Sequence, residues 1–316
     1  MNNGKIPVDK LLEFRLEEIL TGGMLLLLNS LILIFGDFTK TWLVFLLNLS
    51  YMGIIIGAAY TGRQFSGTRR AVFRDWYVMV LLIMIYMEHQ FLVPLINPHD
   101  IDNSLIIIDR MIFAGNDPTV LMERITVPAL TEFLQIVYAS FYFLPFVLCL
   151  LVYRRGRRSD FHITASTIML GFFLSYGGYY LFPAIGPQYT LDHLQRYQLT
   201  GILTFDFLRN LLGTLGGVAR DCFPSGHTLV SVLTMLLAFR YHRSFAKIAV
   251  PWTALLVFAT VYLRYHYVAD VLGGLAVALM TWKAGPALAL WYLYARRRRE
   301  LPMTERGTDS TAGTVH

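Results

Sequence analysis

Residues Phe223 to Asp270 read FPSGHTLVSVLTMLLAFRYHRSFAKIAVPWTALLVFATVYLRYHYVAD. The stretch holds two apolar runs, 224–240 and 246–263, joined by a short turn that carries Arg243, with Arg240 and Lys247 at the adjoining ends of the runs. A membrane-crossing helix takes ~20 apolar residues at ~1.5 Å rise each, so both runs read as spans. The short connection makes them antiparallel neighbours. Residues 39 positions apart, such as His227 and His266, then return to the same membrane depth.

The same alternation of apolar runs and short charged ones fills the chain. Its 316 residues are 55% hydrophobic and 15% charged, whereas soluble domains carry about 25% charged residues. Spans are predicted at 19–36, 41–60, 76–96, 128–152, 161–182, 224–240, 246–263 and 268–284, with 284–295 extending the last helix past Pro286. The fold class is therefore all-α, a polytopic membrane bundle of about eight transmembrane helices. Four regions follow: a cytoplasmic amphipathic segment 1–18, N-terminal membrane helices 19–96, a second membrane domain 97–295, which the motifs described below mark as the catalytic one, and a tail 296–316, basic and then disordered. Within the first, residues 5–18 read as an interfacial helix. Two outer loops are long, 97–127 and 183–223; the first contains SLIIIDRMIF, too short to span and suited to the interface.

Basic residues fix the orientation. With the N-terminus cytoplasmic, 20 of the 27 Lys and Arg fall on the cytoplasmic side, the asymmetry that positive-inside topology requires. The net charge of +6 is thus explained by anchoring and implies no nucleic-acid partner. Cys149 and Cys222 are too far apart in sequence to form a disulfide framework or a paired metal motif. No cleavable signal peptide is read at the N-terminus.

Chemistry concentrates at the outer ends of the quoted hairpin. In Phe223-Pro224-Ser225-Gly226-His227-Thr228, Pro224 suits a first helical turn. The backbone N–H groups of Ser225, Gly226 and His227 would then face outward at the positive end of a helix dipole, an anion site. Gly226 permits close approach of a phosphate, Ser225 offers a hydroxyl, and His227 a titratable proton; plain helix capping is the competing use. At the far end, His266 and Asp270 are four apart and share one helical face. Asp270 can accept from His266 Nδ1–H and leave Nε2 free as a nucleophile. The flanking tyrosines read equally well as an interfacial aromatic belt.

FPSGHT followed by YLRYHYVAD resembles the second and third signature motifs of the type 2 phosphatidic acid phosphatase (PAP2) superfamily, and especially its branch containing inositol phosphorylceramide synthases. Phe182-Pro183-Ala184-Ile185-Gly186-Pro187-Gln188-Tyr189 resembles the proline-rich loop of that branch. The likeness covers roughly residues 105–285. It implies a metal-independent reaction through a phosphohistidine, with no cofactor. His266 would be the nucleophile, Asp270 its orienting partner and His227 the general acid, while Ser225 and Gly226 cradle phosphate oxygens. Two features of the family pattern are absent. No Arg-Pro dipeptide occurs, and Ala259-Thr260 stands where the third motif has Ser-Arg. The replacement cations expected at the phosphate are Arg264 and Arg220, the latter with an ion pair to Asp221 as its other use. Arg110 and Arg124 default to interface anchoring.

The expected function is hydrolysis of a lipid phosphate monoester or pyrophosphate at the outer membrane face, with the phospholipid bilayer and a lipid phosphate as partners. The alternative is a lipid phosphotransferase moving a head group onto a lipid or polyol. A proton-coupled transporter belongs to a different class, but no internal repeat or broken mid-span helix is evident. A zinc site from His227, His266, Asp270 and Cys222 lacks a close ligand pair. Glu88 and His89 inside the third span are costly in lipid, and a hydrogen bond to a neighbouring helix is their expected use. Without an outer Asn-X-Ser/Thr acceptor, the expected location is a bacterial inner membrane, the site facing the periplasm or exterior.

Overall fold

The computed structural model describes residues 13–64, 68–215 and 220–300. Among these residues every regular element is a helix. Three long ones open the chain, α1 Leu16–Phe35, α2 Phe38–Gln64 and α3 Thr68–Ile96. Residues 5–12 of the expected interfacial segment lie outside the described residues, and its last residues already belong to α1. α4 Asp102–Ile112 and the short α5 Pro118–Leu121 occupy the first long loop. α4 contains the interfacial run expected there, and exposes Ile107, Ile108, Met111 and Ile112 while burying Leu105 and Asp109.

The expected span 128–152 is broken. α6 Pro128–Ala139 and α7 Leu144–Arg154 meet at 50° across a 3-10 turn at Ser140–Tyr142. Pro145, in the first turn of α7, has no N–H to continue α6 and its ring crowds the preceding carbonyls, so a straight helix cannot pass. α8 Arg158–Leu181 returns to the other end. In the second long loop follow α9 Pro187–Thr190 and α10 Phe205–Leu215; then α11 Gly226–Tyr241, α12 Arg243–Tyr262 and α13 Val268–Glu300 close the chain. α13 runs on past Pro286, as expected, and carries the first residues of the tail; residues 301–316 lie outside the described residues.

Among the described residues five helices are long and apolar enough to cross a membrane: Leu16–Phe35, Phe38–Thr61, Arg69–Ile96, Arg243–Tyr262 and Val268–Arg298. The bent pair α6–α7 makes a sixth if counted as one span. α8 and α11 coincide with the other two expected spans but are the inner helices of the bundle. α8 carries Ser, Thr, Gly and Tyr in place of a continuous Leu and Ile surface and buries Thr164, Ser166, Thr167 and Ser175. α11 has 16 residues, about 24 Å of helix. Leu229, Val230, Leu233 and Leu237 of α11 pack with Phe161 and Ile168 of α8, Leu256 of α12 and Ala278 of α13 in one apolar core.

The basic ends of the helices meet at one end of this bundle. Arg15 reaches Asp75 at 2.6 Å, Arg74 reaches Glu18 at 2.9 Å, and Arg158 pairs with Asp75 as well. Arg155 donates to the Tyr241 carbonyl and Arg296 to Glu13. The C-terminal ends of α8 and α12 and the N-terminal ends of α11 and α13 lie at the opposite end, where His227 and His266 are.

Candidate active site

Ser225 is the N-cap of α11, its Oγ accepting the Thr228 N–H at 3.2 Å. Pro224 thus precedes the cap and does not enter the first turn, unlike the sequence expectation. Ser225 is fully buried and its N–H donates to the Asp270 carbonyl at 3.2 Å. Its hydroxyl therefore caps α11, while its amide joins α11 to α13. The N–H groups of Gly226 and His227 find no acceptor among the described residues and remain the donors of this helix end. At Gly226 a Cβ would sit 2.8 Å from the Tyr179 hydroxyl, so the glycine seats α11 directly on α8.

The His227 ring is held between two aromatic rings. Tyr138 stacks on it at 4.3 Å with an 18° tilt, and Phe141 lies on it at 4.2 Å. The Tyr138 hydroxyl is 3.5 Å from Nδ1. Nε2 is buried with no hydrogen-bond partner among the described residues.

His266 is not on a helix. It stands two residues before α13, in the turn that leaves α12, so the helical-face geometry expected from the four-residue spacing does not apply. Its contact with Asp270 persists by another route. The Asp270 carboxylate accepts the Tyr267 N–H at 2.8 Å, as a third-position acid does in a capping box, and this folds the turn back over the carboxylate. His266 Nδ1 then lies 3.4 Å from Asp270 Oδ2. The His266 and His227 ring centroids are 5.6 Å apart. The two imidazoles do meet across the hairpin.

Three acids and a thiol complete the frame: Asp102 and Asp109, unassigned in the sequence, Asp221, expected there as a partner of Arg220, and Cys222, weighed there only as a zinc ligand. Cys222 donates to Asp270 Oδ2 at 2.8 Å and lies 3.4 Å from His266 Nδ1; burial pushes its thiol pKa up. The ligating atoms of Cys222, His266 and Asp270 all fall within 4.8 Å of one another, a donor set that a transition metal accepts. The close ligand set missing from the sequence is therefore assembled in space. Asp109 of α4 accepts the N–H groups of Val268 and Ala269 at 2.9 and 2.7 Å and so caps α13. Asp102, two helical turns earlier, accepts from Ile185 N, Gly186 N and the Tyr267 hydroxyl. Gly186 has φ +95, and a Cβ there would meet the Tyr265 carbonyl at 3.0 Å, so the proline-rich loop needs glycine at this point. Asp221 accepts from the Tyr86 hydroxyl at 2.8 Å, and burial raises its carboxyl to about 6.

The two expected phosphate-binding arginines are turned to other work. Arg264 sits at φ +67 and is nearly fully buried. It donates to Gln195 Oε1, to the Tyr197 carbonyl at 3.0 Å and to Glu123 at 3.1 Å. These bonds hold a left-handed backbone position, costly for a residue with a Cβ, in the turn that presents His266. Arg220 forms a two-pronged pair with Asp100 at 2.6 and 3.1 Å, not with Asp221. Arg110 pairs with Asp117. Neither Arg264 nor Arg220 lines the cavity in front of the histidines.

That cavity measures about 600 Å³. His227, His266, Cys222 and Asp221 form one wall; Tyr86, Tyr138, Tyr142 and Tyr265, with Gln188, Asn210 and Arg209, form much of the rest. Arg209 carried no weight in the sequence beyond the charge count, since the helix that brings it here was not legible. A smaller apolar pocket of about 90 Å³, lined by Leu82, Ile83, Phe141, Phe146 and Phe172, shares Tyr86, Tyr142, Asp221 and His227 with the first. Glu88 and His89 line neither. Glu88 faces Asn48 of α2, a neighbouring-helix partner of the expected kind, while the His89 ring packs on Tyr176, Tyr179 and Tyr180 of α8.

Fold and cavity together define a multi-pass helical protein with two facing histidines at one end of its bundle. The chain belongs to the PAP2 superfamily: the model of that family matches residues 103–284, from α4 into α13. A PA-phosphatase related-family protein of Dictyostelium discoideum is 28% identical over 102 residues, which is 31% of this chain. The chain spans 18% of the length of that relative. No solved structure matches it.

Proposed function

We propose that the protein is a membrane lipid phosphatase that hydrolyses a lipid phosphate monoester or pyrophosphate through a phosphohistidine. The observation that carries this reading is the 5.6 Å approach of two imidazoles over one cavity, the second held by a buried carboxylate. His266 Nε2 attacks phosphorus while the bond to the departing oxygen breaks. His227 gives that oxygen its proton. Water then attacks the phosphohistidine, His227 takes a proton from it, and inorganic phosphate leaves with His266 regenerated. Asp270 holds the His266 tautomer, and the free amides of Gly226 and His227 face the developing charge. The apolar pocket adjoining His227 supports a substrate with an acyl or prenyl tail.

A second reading, transfer of the phosphoryl head group to a lipid or polyol as in inositol phosphorylceramide synthase-like enzymes, is favoured by the cavity volume and by Gln188, Asn210 and Asp221 in its wall. We read the chain as eight spans with both termini cytoplasmic, in a bacterial inner membrane, the cavity facing the periplasm or exterior. The gathering of basic residues at the end away from the histidines supports that sidedness.

The test is a radiolabelled lipid phosphate supplied in EDTA, with and without alcohol acceptors, followed by product analysis. Free phosphate in every case is the expected result; a new labelled lipid establishes the transferase. His266→Ala is expected to lower kcat/KM by about 10³-fold or more, and His227→Ala by about 10²–10⁴-fold. Full activity in either variant, or activity that EDTA abolishes, refutes the assignment.

A further inference from the structure

Phosphoryl transfer places charge on three equatorial oxygens, and catalysis is mostly the stabilisation of that charge. Arg264 and Arg220 are paired with Glu123 and Asp100 and do not line the cavity. The cavity wall nevertheless has one permanently charged cation among its described residues, Arg209 of α10. Its Nη1 is buried and has no hydrogen-bond partner among the described residues. Its guanidinium lies over the Tyr265 ring, 5.6 Å from the centroid, and over Phe205 at 5.7 Å. Tyr265 stacks on Tyr138, and Tyr138 on His227. A desolvated donor with nothing to donate to is costly, and here it borders a cavity containing both imidazoles.

The helix that carries it is built for this. Phe207 and Leu211 are four residues apart and exposed, with exposed Leu203 just ahead of the helix, a stripe suited to the membrane surface. Arg209 and Leu212 lie on the opposite face and line the cavity, while Phe205 is buried beside Tyr138. The Glu132 carboxylate of α6 accepts the N–H groups of Ile202, Leu203, Thr204 and Phe205, and this fixes the start of α10 to the same element that supplies Tyr138.

We propose that Arg209 is the phosphate-binding cation of this site, donating its free Nη1–H to an oxygen of a lipid phosphate monoester presented at the membrane surface. This deepens the phosphatase reading and rests on it. The experiment uses the full chain in mixed micelles and two readouts: hydrolysis of a lipid phosphate monoester, and binding of inorganic phosphate followed by 31P line broadening. Arg209→Ala is expected to lower kcat/KM by about 10²–10³-fold and to weaken phosphate binding by about tenfold or more. Arg209→Lys recovers part of both. Added guanidinium restores activity to Arg209→Ala and not to His266→Ala, an outcome that misfolding would not give. Arg209→Ala with half or more of the wild-type activity, or a loss without guanidinium rescue and with unchanged phosphate binding, overturns the proposal. A wild-type chain that binds phosphate through Arg209 but hydrolyses no lipid phosphate leaves this assignment standing and overturns the phosphatase.

Discussion

Asp221 gives the cavity a titratable group besides its histidines. Burial lifts its carboxyl to about 6, against the pull of the Tyr86 hydroxyl that bonds to it and of nearby His266. In the unfolded chain the same carboxyl titrates near the usual value of about 3.9. The folded state therefore holds the extra proton between those two values, and stability falls as pH rises through that window, with the full penalty above about 6. Asp221→Asn is expected to raise the melting temperature at pH 7.5 and not at pH 4, a gain of about 1–2 kcal/mol after allowance for water in the cavity. A gain of equal size at both pH values would sink this account. His227, His266 and Asp270 were legible at this scale because a short-turned hairpin dictates which residues share a depth. Asp221 and Arg209 were not, and Cys222 was weighed only as a metal ligand, since each reaches the cavity from a loop or a loop-borne helix whose path no periodicity encodes.

The elements that position the histidines are themselves pinned by α4. Its two inward carboxylates, Asp102 and Asp109, receive the proline-rich loop and the first turn of α13. Asp109→Ala removes an acceptor from two buried amides. A lost helix cap costs about 0.5–2 kcal/mol, and thermal unfolding in detergent is expected to show a loss at the upper end of that range. Turnover should fall as well, because the freed turn carries His266 and Asp270; an Asp109→Ala protein with wild-type kcat would show that the cap is dispensable to the chemistry. In sequence α4 was visible as an interfacial segment, from its run of isoleucines, but not its use: nothing in SLIIIDRMIF says which helix its aspartate will cap. α10 was missed altogether. Its alternation of Phe, Leu and charge is ordinary helical patterning, and its meaning lies in which face the cavity receives. The kink between α6 and α7 was passed over as well, although Pro145 was in view, because the run 128–152 is apolar throughout.

Across the whole molecule the basic end is a second organised region. Asp75 is nearly fully buried and binds Arg15, Tyr153 and Arg158, so that one carboxylate joins α1, α3, α7 and α8. Removing one partner from a buried ion pair typically costs about 3–5 kcal/mol, because the others are left uncompensated. Asp75→Asn is expected to lower stability by about 2–3 kcal/mol, less than a full deletion since the amide still accepts from Tyr153. kcat below the melting range should hardly move, as the histidines lie at the other end of the bundle; a large fall in kcat with unchanged stability would contradict this. The count of basic residues foresaw which helix ends share a side. It could not foresee that α8 and α11 are inner helices, because buried polar residues and glycines dilute apolarity just as a surface would. The backbone bond from the Ser225 amide to the Asp270 carbonyl welds the start of one histidine's helix to the first turn that steadies the other. The 5.6 Å interval between the two rings is therefore tied to one junction, that of the α11 cap with the opening turn of α13.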